Sequence, residues 1–415
     1  MNLRELLAAR GYRGLLAART VSLLGNAAAP VALSFAVLSR PAGSAGQLGA
    51  VLTAYAVAQV ALLLVGGVLA DRLPRTAVMA GADAVAALAQ AGAAAVVLLA
   101  HAAVVPLAAL AALSGAAAAV FGPAAVGVVP TLVPGPLLHS ANALLGVARN
   151  VASVGGAALG GVLVVAVGPG WALAADAATF AVSGALLLGV PRSARPASAG
   201  STPLQELREG WREFTSRRWV WVIVAQFSVL LACAEGGTRV LGPVVAKADL
   251  GGAGAWATAL TAESAGLVCG SVVALRLRPR RPMLVATLAT FSEVLPLVAL
   301  ALRAPVAVLA AALFLVGVCM DVFTVLWVTA LHHHVPEEAL SRVSAYDGLG
   351  SYLFTPLGLA AAGPLAGALG TTTALWCAAG GAALVCVLAL LDPGVRGLTD
   401  EAGVTAAATG EGPPP

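Results

Sequence analysis

The sequence predicts an all-α membrane protein whose twelve transmembrane helices form two six-helix bundles. Three observations carry this expectation. Apolar residues (AVILMFWYC) make up 60% of the 415 residues, charged ones only 10%, and the mean hydropathy is +0.94, so the chain lacks the polar surface a soluble domain needs. Continuous apolar stretches recur along the chain, each about as long as the roughly 20 helical residues that cross a hydrocarbon core of about 30 Å. The arginines gather in alternate connections between those stretches.

Read against charge and Pro/Gly punctuation, the spans fall near 14–39, 47–70, 76–100, 103–129, 141–167 and 170–190, then 219–246, 253–275, 282–302, 305–331, 344–368 and 370–391. Their apolar runs are continuous, whereas barrel strands alternate, so they are helices. The 47 glycines and 24 prolines fit this, because small residues let membrane helices approach closely and neighbours re-satisfy a proline break. Five segments follow: an amphipathic segment 1–13 with Arg4, Arg10 and Arg13 at the membrane surface; a bundle 14–190; a cytoplasmic linker 191–218; a bundle 219–391; and a disordered, Gly/Ala/Thr/Pro-rich tail 392–415. The linker opens Pro-Arg-Ser-Ala-Arg-Pro and continues as the charged amphipathic stretch Leu204–Phe214.

Basic residues set the orientation. Of 23 Lys plus Arg, Arg19, Arg149 and Arg239 lie inside spans and Arg40, Lys247 and Arg303 in odd-numbered connections. The rest lie at the termini or in even-numbered connections, which places both termini and the linker in the cytoplasm. The net charge of +4 is therefore topological; scattered arginines without an aromatic-lined groove do not bind nucleic acid. No cleavable signal is evident. All five cysteines sit in spans without a CxxC spacing, which indicates neither disulfides nor zinc. Scarce lysine and abundant Ala and Arg suggest a bacterial cytoplasmic membrane.

A faint repeat links the halves. Gly66-Gly67-Val68-Leu69-Ala70-Asp71-Arg72-Leu73-Pro74-Arg75 joins spans two and three, and Gly270-Ser271-Val272-Val273-Ala274-Leu275-Arg276-Leu277-Arg278-Pro279 joins spans eight and nine. Leu275 stands in the place of Asp71. Parallel six-span repeats point to a transporter with a midplane site between its halves.

The first of these segments is similar to the loop 2–3 signature of the major facilitator superfamily. Further segments resemble its twelve-span drug:proton antiporter branch, the macrolide-efflux and enterobactin-exporter-like proteins: Ala18–Gly25, Leu132–Pro134 with Asn142–Leu144, Gly168–Trp171 with Asp176-Ala177, and Arg342–Asp347. The resemblance covers roughly residues 10–390 and implies the major facilitator fold, transport by alternating access, and small-molecule substrates exchanged for protons across the lipid bilayer. It does not fix the substrate.

Gly67, Asp71, Arg72 and Arg75 then form a cytoplasmic gate, with Asp71 pairing with an arginine or facing a helix N-terminus; the alternative is a plain positive-inside turn. Asp83 belongs to the same gate with Arg149 or Arg75. Asp176, nearer the outer face, is structural, and Asp347 lies at the entrance to span eleven.

An ionisable residue at mid-membrane costs about 2.5–3.5 kcal/mol on insertion scales, so each asks for an explanation. Glu235 and Arg239, one turn apart, either neutralise each other as an i,i+4 pair or form a proton carrier and its modulator. Glu263, Glu293 and Asp321 have no basic neighbour in their own helix and are candidates for proton coupling or for anchoring a cationic substrate; Asp321 is preferred because, by resemblance, span ten lines the cavity. Asn26 and Arg239 are candidate cavity residues, Asn26 standing where many members of the branch carry an acid. The glycine run Gly155–Gly161 offers a smooth face for helix packing.

His332-His333-His334 with Glu337 and Glu338 reads as a surface run, and no metal site or cofactor is expected. No P-loop, nucleophile elbow or HExxH supports enzymatic activity. The expectation is a monomeric proton-coupled exporter of small amphipathic or hydrophobic compounds. A lipid flippase or importer of the same fold, and a non-transporting membrane sensor, are the alternatives.

Overall fold

A computed structural model of the chain describes Leu6 and residues 9–99, 103–191, 211–335 and 337–399, the side chains of Arg10, Leu64, Asp71, Glu337, Glu338, Ala339, Ser341, Arg342 and Ala345 excepted. Among these residues the regular structure is entirely helical, and twelve helices are long and apolar enough to cross a membrane. The first six spans are Arg10–Leu38, Ala45–Arg72, Arg75–Leu98, Val104–Leu132, Leu138–Ala166 and Pro169–Leu188. In the second half, spans eight, ten and twelve are Ala253–Arg276, Val306–His334 and Thr371–Leu391.

Spans seven, nine and eleven are interrupted, which the apolar pattern does not predict. Span seven runs Arg218–Glu235, passes through the π-helical segment Gly236–Leu241 and resumes as Gly242–Asp249. Span nine is Pro282–Thr290, a 3₁₀ turn Phe291–Glu293, and Val294–Ala301. Span eleven is Glu337–Tyr352 followed, after a break, by Thr355–Leu369. A proline follows each break. A helical proline cannot bond to the carbonyl four residues earlier, and Pro243, Pro296 and Pro356 leave the carbonyls of Arg239, Ser292 and Tyr352 without that partner.

The ends of several spans also differ from expectation. The first helix begins at Arg10 because Tyr12 is buried and donates its hydroxyl to Ala141 O at 2.7 Å. Residues 10–13 thus extend span one, and the remainder of the amphipathic segment is largely outside the described residues. The three histidines form the last turn of span ten, so they are helical. Most of Leu204–Phe214 lies outside the described residues. The end of the linker packs on span eleven, with Trp211 and Tyr346 rings 5.5 Å apart. At the start of the tail, Asp392 caps the helix Pro393–Gly397 and binds Arg218 at 2.7 Å.

The repeat seen in sequence is a packing repeat. Gly66 of span two meets the backbone of Ala119 in span four, and Gly270 of span eight meets the backbone of Val318 in span ten. Gly168 and Gly370 open spans six and twelve at φ 92° and 84°, the left-handed region that favours glycine. Gly156 and Gly160 lie against Leu24, Ala27 and Ala28 of span one, so the glycine run does supply the smooth face expected of it.

The two halves meet through spans two and eleven and through spans five and eight. At one end Gly363 abuts Gly46, Gly161 abuts Ala257, and Lys247 Nζ donates to Leu38 O. That end carries the basic-poor connections. Toward mid-span, Thr53 Oγ1 donates to Pro356 O at 3.5 Å and Ser153 Oγ to Ser264 Oγ at 3.0 Å.

This last contact is testable. In a background with the native cysteines replaced, Ser153→Cys with Ser264→Cys should cross-link under mild oxidation, the sulfurs needing only a small approach to bonding distance. After proteolysis at a site engineered into the linker, the halves should then run as one band until reduced.

Candidate functional site

A cavity of ≈ 420 Å³ lies between the halves. Its walls come mainly from the first four spans, completed by Leu231, Glu235 and Arg239 of span seven and by Tyr352, Thr355 and Leu359 of span eleven. Alanines, leucines and phenylalanines form most of the surface, broken in the first half by Arg19 and Asp83 and by neutral polar groups such as Asn26, Tyr55, Gln59 and Gln90. An apolar pocket with a few placed polar groups is the usual form of a small-molecule site.

Both halves bring charged residues to the lining, Arg19 and Asp83 from the first and Glu235 and Arg239 from the second. Arg239 Nε bonds Glu235 Oε2 at 2.6 Å, the side chains 41% and 25% exposed toward the cavity. The π-helical segment holds this pair in place: Gly236 packs against the Gly358 backbone of span eleven and Gly237 against Leu297 of span nine. Glu263 of span eight and Glu293 in the 3₁₀ turn of span nine are the next carboxyls within electrostatic reach of Arg239. Glu293 is buried and Glu263 half-buried, and neither lines the cavity wall. Three acids from three spans are therefore within electrostatic reach of one guanidinium, and Glu235 alone is bonded to it.

Asp321 stands apart from this group. It packs on Gly270 at the second copy of the repeat, its Oδ2 is buried without a hydrogen-bond partner among the described residues, and the base within its electrostatic reach is Arg149. It does not line the cavity, contrary to the expectation for span ten. The side turned toward the cavity there is taken by spans seven and eleven.

The N-terminal half has two buried acids. Asp83, 1% exposed, accepts a hydrogen bond from Ser183 Oγ at 2.6 Å and faces Arg19, which lies over the Phe121 ring at 5.0 Å. The expected partners differ: Arg75 instead donates to Gly127 O at 2.5 Å, and Arg149 is exposed on span five. Asp176 accepts from Gln90 Nε2 at 2.6 Å. In loop 2–3 the close backbone approach is made by Gly66, while a Cβ on Gly67 would meet open space. The Asp71 side chain lies outside the described residues, and Arg72 is exposed. Among the described residues no group of three His, Cys, Asp or Glu side chains could hold a metal.

A family model described as Major Facilitator Superfamily matches residues 15–274. The chain belongs to the Major Facilitator Superfamily. Solved structures of this fold superpose over nearly its whole length. A POT family transporter in complex with 5-aminolevulinic acid matches at TM-score 0.74 and 12% identity, covering 93% of this chain and 97% of the other. The nucleoside transporter NupG matches at 0.69 and 14%, covering 94% and 99%. A bacterial homologue of the human lysosomal transporter Spinster, in an inward-facing and occupied conformation, matches at 0.67 and 13%, covering 92% and 95%. No curated protein matches the sequence.

The protein is thus a multi-pass membrane transporter, and the cavity between its halves is its candidate substrate site. Sequence reasoning picked out charged residues and Asn26 but passed over Tyr55, Gln59, Gln90, Tyr352 and Thr355, neutral groups in apolar helices. A signal was present: Gln59 and Gln90 are the only glutamines deep inside the N-terminal spans.

The glycine geometry yields a discriminating pair of variants. Gly67→Ala should leave thermal stability unchanged or raise it, since alanine favours helix by about 1 kcal/mol. Gly66→Ala should lower it by about 1–3 kcal/mol through overpacking against Ala119 and Val120, as read by thermal melting in detergent.

Proposed function

We propose that this transporter is a proton-coupled exporter of small amphipathic or hydrophobic compounds, working as a monomer in a bacterial cytoplasmic membrane with both termini inside. The carrying observation is that the Glu235–Arg239 pair lines the cavity, with Glu263 and Glu293 within electrostatic reach of the same guanidinium. One guanidinium balances one of three carboxylates, and a membrane interior does not tolerate unbalanced charge. The remaining charge is balanced by protons or by a substrate that replaces them, which is the exchange an antiporter needs. Glu235, the acid at the cavity surface, trades its bond to Arg239 for a proton; Glu263 and Glu293 behind it hold or relay that proton. Asp321, beside Arg149, is the further coupling candidate.

Reading the basic-poor end as outside, the tight contacts of Gly46 with Gly363 and of Gly161 with Ala257 close the outer side, which supports an inward-facing reading of this state. Opening outward would engage the cytoplasmic gate of Gly67, Asp71, Arg72, Arg75, Asp83 and Arg149. Export rather than import rests on the resemblance of Ala18–Gly25, Asp176-Ala177 and Arg342–Asp347 to the drug-exporting branch. The mostly apolar wall suits amphipathic cargo.

The test uses the purified chain in liposomes loaded with a lower pH inside than outside. Hoechst 33342 should accumulate, and Glu235→Gln should reduce accumulation at least tenfold with unchanged insertion and melting temperature. Accumulation driven by the opposite gradient would make the protein an importer. Undiminished uptake after Glu235, Glu263, Glu293 and Asp321 are all changed to amides would overturn proton coupling through this cluster.

A further inference from the structure

The geometry points to Gln90 as the residue that reads a hydrogen-bond donor on the transported molecule, and to Asp176 as the residue that positions it. The inference rests on the cavity being the substrate site and is independent of the coupling ion and the direction of transport. Gln90, on span three, lines the cavity. Its Nε2 donates to Asp176 Oδ2 at 2.6 Å from behind the wall. Asp176 is 1% exposed, on span six, and its other oxygen faces Thr179 Oγ1 at 3.4 Å. That hydroxyl also donates to Asp176 O at 2.7 Å.

A carboxylate only accepts hydrogen bonds, whereas a glutamine amide offers one accepting and one donating face. While Asp176 is ionised, the Gln90 NH2 stays turned to it and the carbonyl oxygen is left for the cavity, with no partner among the described residues. The cavity wall is thereby fixed as an acceptor at this point. A molecule carrying an N–H or O–H donor satisfies it, and an otherwise identical molecule without the donor leaves it unpaired; sites built to bond a substrate donor reject analogues lacking it.

The support for Asp176 is built into span one. A Cβ on Gly25 would collide with both Asp176 Oδ1 and Thr179 Oγ1, so a glycine at this position leaves room for the carboxylate between three helices. The next residue, Asn26, is exposed on the cavity wall. Gln90 lies on a first-half span and the Glu235–Arg239 pair on span seven, so the acceptor and the ion pair stand on walls from different halves. The transported class is therefore an amphipathic molecule with a donor-bearing head.

Two dyes with the same cationic xanthylium core isolate this feature: rhodamine 123, whose amino groups carry N–H, and tetramethylrhodamine methyl ester, whose amino groups are fully methylated. Binding to the full chain in nanodiscs is read by fluorescence anisotropy at one pH. The wild type should bind rhodamine 123 about threefold to tenfold more tightly, the share of one hydrogen bond. Gln90→Met and Asp176→Leu should each erase that preference, the first without disturbing the buried acid and so serving if the second fails to fold. The double variant Asp176→Asn with Gln90→Glu should restore it, because the new carboxylate accepts from Asn at one oxygen and offers the other to the cavity. A purely packing role for Asp176 predicts no such rescue. Equal binding of the two dyes by the wild type, a preference that survives in Gln90→Met, or binding of neither dye overturns the assignment. Loss of proton drive in liposomes with the dye preference intact would instead sink the exporter proposal alone.

Discussion

A guanidinium held inside a membrane bundle obliges the rest of the chain to answer its charge. Arg239 is that group, and the second half is arranged around it. Glu235 answers directly at 2.6 Å, Glu263 and Glu293 stand behind, and each comes from a different place in the chain. Glycine at positions 236 and 237 lets spans nine and eleven press close to the segment that carries the pair. Prolines at 243, 296 and 356 interrupt the helices there and free the carbonyls of Arg239, Ser292 and Tyr352 in the same neighbourhood. Irregular backbone in a membrane is tolerated where protein or a polar cavity can satisfy it.

The two halves thus contribute unlike walls to one cavity. The first supplies neutral polar groups, Asn26, Tyr55, Gln59, Gln90 and Ser114, together with Arg19 and Asp83, set in alanine and phenylalanine. Its acids, Asp83 and Asp176, are each bonded to a neutral partner, Ser183 and Gln90. The second half presents ionised chemistry. A repeat that packs alike, Gly66 on Ala119 and Gly270 on Val318, has therefore come to carry different side chains at the centre.

Much of this was legible in residue order. Twelve apolar runs gave the spans because hydrocarbon selects length and composition directly, and the offset glycines at 66 and 270 disclosed the repeat. The pairing of Glu235 with Arg239 followed from helical spacing and persists through the π-helical segment. What escaped was non-local. Glu263 and Glu293 come within reach of Arg239 only because spans seven, eight and nine converge, and Asp321 falls outside the cavity because spans seven and eleven occupy the wall. Gly67 drew attention as part of a motif, but the contact belongs to Gly66, a difference of one residue and about 100° around the helix. The breaks themselves were readable in principle, since each proline marks its own missing bond.

Those breaks have a mechanical consequence. Every described span of the first half runs without a π or 3₁₀ interruption, despite Pro30, Pro123 and Pro130, whereas spans seven, nine and eleven each contain a joint. A helix with missing backbone bonds bends locally at less energy than an intact one. The joints of spans seven and nine therefore sit at Glu235, Arg239 and Glu293, where a change in charge is felt first.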